Sequence, residues 1–115
     1  MGVAGYSEIA RILGLNSVAE RYADIAKKMA MKWEEMANEG DHYRLAFDRE
    51  NTWSQKYNMI WDKMWSLNLF SNNVISKEVN YYLMKQNPYG LPLDSRKEYT
   101  KSDWIMWIAA MSPDL

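Results

Sequence analysis

The sequence contains no cysteine and only one histidine, His42, among its 115 residues. Without cysteine, disulfide bonds and thiol chemistry are excluded, and a single histidine does not supply the ligands of a zinc site of the histidine and cysteine type. The five glycines are scattered along the chain and form no phosphate-binding loop. We therefore expect neither a metal site nor a bound cofactor.

Strong net charge and long apolar runs are missing as well. The 14 basic and 15 acidic residues leave a net charge of −1, and no run of like charge favours nucleic acid or an anionic membrane. No segment reaches the roughly 18 uninterrupted apolar residues that a membrane-spanning helix needs. Neither nucleic acid nor a membrane is expected as a partner.

Large apolar side chains, in contrast, are abundant. The sequence has six tryptophans, eight tyrosines and nine methionines. Residues of this kind fill hydrophobic cores, and they also dominate protein interfaces and sugar-binding surfaces. The core is the default interpretation here, with interfaces and binding sites as the alternatives.

The spacing of apolar residues predicts five helices. Their approximate ranges are 4–13, 17–38, 55–68, 72–86 and 101–111. Gly14 is a natural stop for the first helix, and Ser17 with Glu20 forms a capping box for the second, so these two helices should make an antiparallel hairpin. Residues 41–54 are expected to form a short β-hairpin or an extended loop, and residues 91–99 an extended segment.

Each amphipathic helix has a stripe of residues predicted to face inward. On the first helix the stripe is Tyr6, Ile9, Ala10 and Leu13; on the second it is Val18, Tyr22, Ile25, Ala26, Met29, Trp33 and Met36; on the fourth it is Ile75, Val79, Tyr82 and Leu83. The opposite face of the second helix is charged, and Asp24 and Lys28 are spaced to form an ion pair there.

The third and fifth predicted helices are apolar on nearly every side. Such helices have to be covered on several faces. Five short helices offer few partners, so we expect this chain to be part of a larger helical domain or a subunit that associates with its own copies.

Three stretches of the sequence resemble the glutaminase A family of fungi and gut bacteria. They are "YADIAKKMAMKWEEMA", "GDHYRLAFDRENTWSQKYNMIWDKMWSLNLF" and "YYLMKQNPYGLPLDSRKEYTKSDWIMWIAAM". The resemblance extends from about Tyr6 to Pro113, and the two long motifs occur in the family's order. It implies an all-α fold of antiparallel helical hairpins, part of an (α/α)6 toroid similar to those of six-hairpin glycosidases.

The resemblance also implies a context for the chain. The complete family domain is several hundred residues long, so residues 1–115 would be a single unit from its C-terminal part. The implied activity is hydrolysis of L-glutamine to L-glutamate and ammonia in a secreted or periplasmic parent protein. The partners implied are the remainder of the parent domain, or a second copy, and glutamine as the small-molecule substrate.

Hydrolysis of an amide without cysteine or metal needs a nucleophile or an activated water, a proton donor for the leaving group and stabilisation of an oxyanion. Two polar segments, 40–57 and 91–103, each precede an all-round apolar helix, so we hypothesise that they lie on one rim of a cleft. The candidate catalytic residues are Asp41, His42 and Asp94. The candidate substrate-binding residues are Arg44, Trp53, Lys56, Arg96, Lys101 and Asp103.

Several of these residues also have purely structural interpretations. His42, beside Asp41, suits a general base, and it equally suits a histidine bonded to the backbone. Asp94 and Arg96 suit a clamp for the charged groups of an amino acid, and they equally suit an internal brace of their loop.

Three further residues carry the same ambiguity. Asp103 is expected to complete a capping box with Thr100, with a catalytic role as the alternative. Trp53 either lines a pocket or packs in the core. Asp62 lies in an apolar helix and should meet a lysine or arginine from a loop; a functional carboxylate with a perturbed pKa is the alternative.

Three functions remain open from the sequence. The first is a fragment of a glutaminase-like amidohydrolase domain that is inactive by itself. The second is a helical-hairpin module that binds a partner or its own copy. The third is a fragment of an (α/α)6 toroid whose substrate is a carbohydrate instead of glutamine.

Overall fold

A computed structural model describes residues 1–112 of the protein. This part of the chain is helical and has no β-strand, which confirms the predicted all-α class. The helices are α1 (Gly2–Ile12), α2 (Asn16–Ala37), α3 (Ile60–Met64), α4 (Asn72–Lys85) and α5 (Ser102–Met111), and a 3₁₀ turn (Tyr57–Met59) precedes α3. No helix within residues 1–112 combines the length and apolarity needed to cross a membrane.

Helices α1 and α2 form the predicted antiparallel hairpin. Gly14 has φ 74°, a left-handed conformation that ends α1 as expected, and the Leu15 amide closes the turn by donating to Ala10 O at 2.9 Å. Across the hairpin, Ser7 Oγ donates to Ala19 O at 2.7 Å. The Tyr6 and Tyr22 rings meet edge to face with their centroids 4.7 Å apart.

The surface where α1 and α2 meet is made of small residues. The buried positions of the two helices are Ala4, Ser7, Ala10, Ala19, Ala26, Ala30 and Ala37, of which Ala37 belongs to the main core with Tyr43 and Trp53. Alanine and serine let two helix backbones approach closely, so the larger side chains lie beside this contact instead of in it. The predicted inward stripes are therefore wrong for Tyr6, Ile9, Leu13, Met29 and Met36, which are exposed, whereas Trp33 packs against the core as predicted.

The two predicted capping boxes are absent. Helix α2 begins at Asn16 after Leu15, so Ser17 falls inside the first turn, where the Ala19 amide already donates to Leu15 O at 2.9 Å. Helix α5 begins at Ser102 after Lys101, and no side chain caps it. In both cases the backbone enters the helix at a different residue from the one that the capping pattern predicted.

Helix α3 is shorter than predicted because the chain turns sharply after it. Ser66 and Asn68 both adopt left-handed conformations, with φ 51° and 54°, which a helix does not accommodate. The Asp62 carboxylate accepts hydrogen bonds from the Leu69 amide at 2.9 Å and the Phe70 amide at 3.0 Å. The expectation of a lysine or arginine partner for Asp62 is wrong, because backbone N–H groups of this turn satisfy the buried carboxylate.

Helix α4 lies at the centre of the rest of the molecule. It buries Val74, Glu78, Tyr81 and Tyr82, whereas Leu83 of its predicted stripe is exposed. Aromatic side chains surround it, as the core interpretation predicts: the Trp53 ring lies 6.0 Å from those of both Tyr81 and Tyr82.

Helix α5 packs on α3 and the 3₁₀ turn. The Trp104 ring stacks on Tyr57 at 3.6 Å. Helix α5 buries only Ile108 and Met111, while Met106 is 66% exposed. Trp65, directly after α3, is 56% exposed. Within the described residues these helices are thus covered on one side and present apolar groups to solvent on the other, so their need for additional partners stays a prediction.

Candidate functional site

The two polar segments singled out in the sequence pair with each other. Ser54 and Asp94 form an isolated antiparallel bridge. The Gln55 amide donates to Leu93 O at 2.8 Å, and the Ser95 amide donates to Trp53 O at 3.0 Å. Residues 38–56 and 91–97 therefore form one continuous surface, which we call the loop platform. Residues 41–54 form a loop of turns and bends without a β-hairpin, so of the two alternatives the loop is correct and its extended shape is not.

Side chains strengthen this pairing. The Gln55 side chain is buried, and its Nε2 donates to both Leu91 O at 3.1 Å and Pro92 O at 2.9 Å. Ser95 Oγ accepts from the Trp53 amide at 3.3 Å. These bonds join residues 36 to 42 positions apart in the sequence, so they hold the two segments together independently of any helix.

Glu78 of α4 anchors the loop platform from below. Its Oε1 accepts from the Tyr43 amide at 2.7 Å, and its Oε2 pairs with the Tyr82 hydroxyl. Tyr82 Oη also accepts from the Lys56 amide at 2.9 Å, and its burial raises the pKa of Tyr82 well above the usual range, so the phenol stays protonated. Glu78 and Tyr82 lie one helical turn apart and bind both ends of the loop between Tyr43 and Lys56.

Lys56 completes this buried polar network. Its Nζ donates to Tyr43 O at 3.1 Å, to Ser54 O at 2.9 Å and to Ser54 Oγ at 2.9 Å, and it lies 3.7 Å from Glu78 Oε2. Burial lowers the pKa of Lys56. The Lys56 ammonium is within hydrogen-bond distance of the Ser54 hydroxyl, as in serine–lysine catalytic pairs, but its three donors are all used by Tyr43 O, Ser54 O and Ser54 Oγ. Lys56 thus braces the loop platform from inside.

Neither Glu78 nor the Tyr82 hydroxyl was among the functional groups predicted from the sequence. A signal for Glu78 was present, because it stands four residues after Val74 and four before Tyr82, both of which are buried. A carboxylate on the apolar face of a helix must find hydrogen-bond donors.

Asp41 is an exposed carboxylate held by a buried imidazole. Asp41 Oδ1 lies 2.7 Å from His42 Nδ1, and this hydrogen bond lowers the pKa of Asp41. His42 Nε2 lies 3.2 Å from both Thr52 O and Glu39 Oε2. The His42 ring also stacks on Tyr81 with 4.1 Å between centroids. Both ring nitrogens of His42 are engaged, so its geometry favours a role in orienting Asp41.

Arg44 and Glu39 stabilise the same loop. Arg44 Nε lies 3.3 Å from Glu39 Oε1, and Arg44 Nη1 donates to Phe47 O at 3.1 Å. Glu39 Oε1 also accepts from the Asn51 amide at 2.8 Å, and this bond lowers the pKa of Glu39. The predicted substrate-binding residue Arg44 is thus engaged within its own loop.

Asp94 and Arg96 form the internal pair that the sequence allowed. Asp94 Oδ1 accepts from the Arg96 amide at 2.8 Å and from Nε at 3.0 Å, and Oδ2 accepts from Nη2 at 2.7 Å. The side-chain bond to Arg96 lowers the pKa of Asp94, so this carboxylate is ionised at neutral pH. The Arg96 side chain is 67% exposed and that of Asp94 is 13% exposed, so the guanidinium lies at the surface of the loop platform while the carboxylate is mostly shielded from solvent.

The remaining candidates lie apart from these carboxylates. Trp53 is buried against α4, in agreement with the core interpretation. Lys101 and Asp103 are exposed at the start of α5, and Lys101 Nζ lies 5.0 Å from the centre of the Trp104 ring. Residues 1–112 contain no group of three or more acidic or histidine side chains placed to hold a metal ion.

The loop platform therefore holds two carboxylates that are ionised at neutral pH and oriented by neighbours: the Asp41 side chain is 65% exposed, whereas that of Asp94 is 13% exposed. Asp41 is positioned by His42, and Asp94 is positioned by Arg96. Carboxylates of this kind accept hydrogen bonds from ammonium or amide groups, and they can remove a proton from water.

Comparison with known proteins places the chain in a family. Residues 1–114 match the glutaminase A six helical-hairpin domain family. The chain belongs to this family. The match covers the loop platform and all five helices.

Two relatives have glutaminase names. Glutaminase A of Aspergillus oryzae is 28% identical, and the aligned region covers 99% of this chain and 17% of the relative. A protein of Arthroderma benhamiae named "Probable glutaminase" is 27% identical, with 97% of this chain and 16% of the relative covered. The chain thus spans about a sixth of the length of these relatives. No solved structure matches the chain significantly.

Proposed function

We propose that this chain is part of the helical domain of a glutaminase-like amidohydrolase, which hydrolyses L-glutamine to L-glutamate and ammonia. The family match over residues 1–114 is the observation that carries this proposal. The names of the two relatives support the same reaction. Because the chain corresponds to a small share of those proteins, the activity is proposed for the complete protein and not for residues 1–115 alone.

The loop platform is the part of the chain that we assign to the substrate cleft. Loops carry binding and catalytic residues when a rigid scaffold positions them, and α4 supplies such a scaffold through Glu78 and Tyr82. On this scaffold the Asp41 side chain is exposed, and the Asp94 side chain is partly exposed beside Arg96. We assign to them the tasks of accepting hydrogen bonds from the substrate and activating water.

The apolar surfaces of the chain fit the same proposal. Met106 on α5 and Trp65 after α3 are more than half exposed, and so are Ile12 and Met31 on the hairpin. In an (α/α)6 toroid further helical hairpins would cover such faces. We propose that the remainder of the parent domain does so here.

Glutamine turnover by the complete protein tests the reaction. Release of ammonia from L-glutamine, with an oligosaccharide panel assayed in parallel, is expected to show activity on glutamine only. Turnover of oligosaccharides without turnover of glutamine would replace this proposal with the carbohydrate alternative.

Two substitutions in the complete protein test the assigned residues. Asp41→Asn and Asp94→Asn are each expected to lower kcat/KM for glutamine, because each removes an ionised carboxylate from the loop platform. Asp24→Asn is the matched control, since Asp24 is an exposed carboxylate on α2 that pairs with Lys28 at 2.7 Å, and it should leave kcat/KM unchanged. Full turnover in both platform variants would remove the site assignment.

Self-association is the second candidate, and the exposed apolar residues of the hairpin and of α5 favour it. Sedimentation of the 115-residue chain distinguishes the cases. A well-folded monomer at all concentrations would count against an interaction module built from copies of this chain.

A further inference from the structure

A small pocket lies in the turn that follows the paired segment of the loop platform. Its volume is about 250 Å³, and it is lined by Leu93, Asp94, Arg96, Lys97 and Tyr99. The Leu93 amide donates to Tyr99 O at 2.8 Å, and Asp94 bridges to Lys97, so the backbone of the turn is closed on itself. The bridge between Ser54 and Asp94 fixes this turn to the rest of the loop platform. Backbone hydrogen bonds therefore fix the conformation of the turn that forms the pocket.

The pocket carries more positive than negative charge. Asp94 is neutralised by Arg96, and within residues 1–112 no other carboxylate forms an ion pair with Arg96 or Lys97. Lys97 Nζ lies 5.5 Å from the centre of the Tyr99 ring. Glu98 alternates to the other side of the extended chain and is not among the lining residues. One positive charge thus remains available to an anionic ligand.

The orientation of Arg96 suits a carboxylate. Its Nε and Nη2 are fixed on Asp94 at 3.0 and 2.7 Å, whereas no hydrogen bond within residues 1–112 engages Nη1. A guanidinium that is held in one plane recognises a carboxylate with little loss of conformational freedom. Asp94 Oδ2 accepts only one of the three hydrogen bonds from Arg96, so it retains capacity for an ammonium donor.

We propose that this pocket binds the α-carboxylate of a free α-amino acid, with Arg96 and Lys97 facing the carboxylate and Asp94 Oδ2 facing the α-ammonium. Leu93 and Tyr99 supply apolar walls for the carbon chain. The inference rests on the proposed function, because it identifies which end of glutamine the loop platform holds. It adds Lys97 and Tyr99 to the residues that the sequence pointed to.

Titration of the 115-residue chain by NMR tests the ligand class. L-glutamine is expected to shift the backbone amide resonances of Arg96, Lys97 and Tyr99. L-glutaminamide, in which the α-carboxylate is an amide, should bind about tenfold more weakly, because it cannot form the charge-assisted bonds. Equal binding of the two compounds would overturn the proposal. Shifts produced equally well by acetate would also overturn it, since they would indicate attraction of any anion.

Substitutions locate the binding site. Arg96→Gln and Lys97→Gln should each weaken glutamine binding about tenfold. Arg21→Gln is the matched control, because Arg21 is exposed on the hairpin with its guanidinium 5.9 Å from the Tyr22 ring. If Arg96→Gln disturbs the turn by freeing Asp94, Lys97→Gln still decides the question, since no carboxylate of residues 1–112 forms an ion pair with the Lys97 ammonium. Unchanged affinity in Lys97→Gln would contradict the assignment.

Kinetics of the complete protein separate this inference from the proposed function. Lys97→Gln is expected to raise KM for glutamine with little change in kcat, because Lys97 contacts a group that does not react. Glutamine hydrolysis with an unchanged KM would reject the pocket and leave the proposed function intact. Binding of glutamine by the chain without hydrolysis by the complete protein would reject the function and leave the pocket as an amino-acid site.

Discussion

The helical hairpin of α1 and α2 and the loop platform are stabilised in different ways. In the hairpin, alanines and Ser7 fill the contact between two regular helices, and each backbone bond joins residues that are close in sequence. In the loop platform, Glu78, Tyr82 and Lys56 are buried together and bond to chain segments far away in sequence. The first region depends on close packing of small groups, and the second depends on hydrogen bonds and an ion pair between largely buried polar groups.

The two regions also differ in what they show to solvent. The hairpin exposes large apolar side chains, among them Ile12 at 83% and Met31 at 69%. The loop platform exposes charged groups such as Asp41 and Arg96. The difference suits the roles proposed for them, since an apolar surface is covered by other helices and a charged surface binds a small polar molecule.

The largest expected difference comes from replacing a lysine in each region. Lys56→Met leaves Glu78 buried without its cation and should lower the free energy of unfolding by about 3–5 kcal/mol. Lys28→Met breaks only the exposed pair with Asp24 and should cost about 0.5 kcal/mol or less. Urea denaturation measures both values.

A double variant controls for this interpretation. Lys56→Met combined with Glu78→Gln removes both charges, so it should be more stable than Lys56→Met alone. An equal loss of unfolding free energy in Lys56→Met and Lys28→Met would show that the loop platform does not depend on buried ion pairs more than the hairpin does.

The second prediction concerns packing in the hairpin. Ala19 is 0% exposed, and Ala19→Leu should lower the free energy of unfolding by about 1–3 kcal/mol, because the larger side chain forces α1 and α2 apart. Met31→Ala, at an exposed position of the same helix, should change it by no more than about 0.5 kcal/mol. Thermal or urea unfolding distinguishes the two variants, and a tolerated leucine at position 19 would argue against a close contact there.

A pair of serines gives a smaller effect. Ser7→Ala removes the buried hydrogen bond to Ala19 O and should cost about 1 kcal/mol. Ser17→Ala should have almost no effect, because Ser17 makes no capping bond at the start of α2. A loss of about 1 kcal/mol in Ser17→Ala is the value expected for a true cap, and observing it in urea unfolding would contradict the structure at this helix start.

The smallest effect is a change in the pH dependence of stability. Asp94 has a folded-state pKa below its usual 3.8, so the stabilisation from its ionised form is complete above that value and is lost as the pH falls through the folded-state pKa. Asp94→Asn should flatten the acid side of the stability profile, and Arg96→Gln should flatten it less, because the Arg96 backbone amide still donates to Asp94 Oδ1 after the side chain is replaced. Urea unfolding at a series of acidic pH values measures this, and an unchanged profile in Arg96→Gln would show that the Arg96 side chain does not lower the pKa of Asp94.

Local features of the molecule followed from the sequence, and features that need distant residues did not. The stop at Gly14 and the pair of Asp24 with Lys28 were predicted, because each depends on residues within one or two helical turns. The partner of Asp62 was not, because an unforeseen turn presents the Leu69 and Phe70 amides to it.

For the candidate site, too, the sequence predicted the local features and not the contacts between distant residues. The two polar segments were recognised, and their adjacency was hypothesised from the helices that follow them. The inward orientation of Lys56 and the anchoring by Glu78 were not foreseen, because both depend on α4 passing beneath the loop between Tyr43 and Lys56. The pairing of Asp41 with His42 is between sequence neighbours, but the position of the ring depends on Tyr81.

By itself the sequence determined the helical class, the hairpin and the pair of polar segments, since apolar periodicity and turn residues act over a few positions. Tertiary structure alone decided which helix faces are buried and which charged groups reach the surface. The physical reason is that burial and hydrogen-bond pairing depend on what the rest of the chain brings close. Alanines occupy the helix contact, and Glu78 and Lys56 are buried as partners, because only the assembled fold brings their neighbours together.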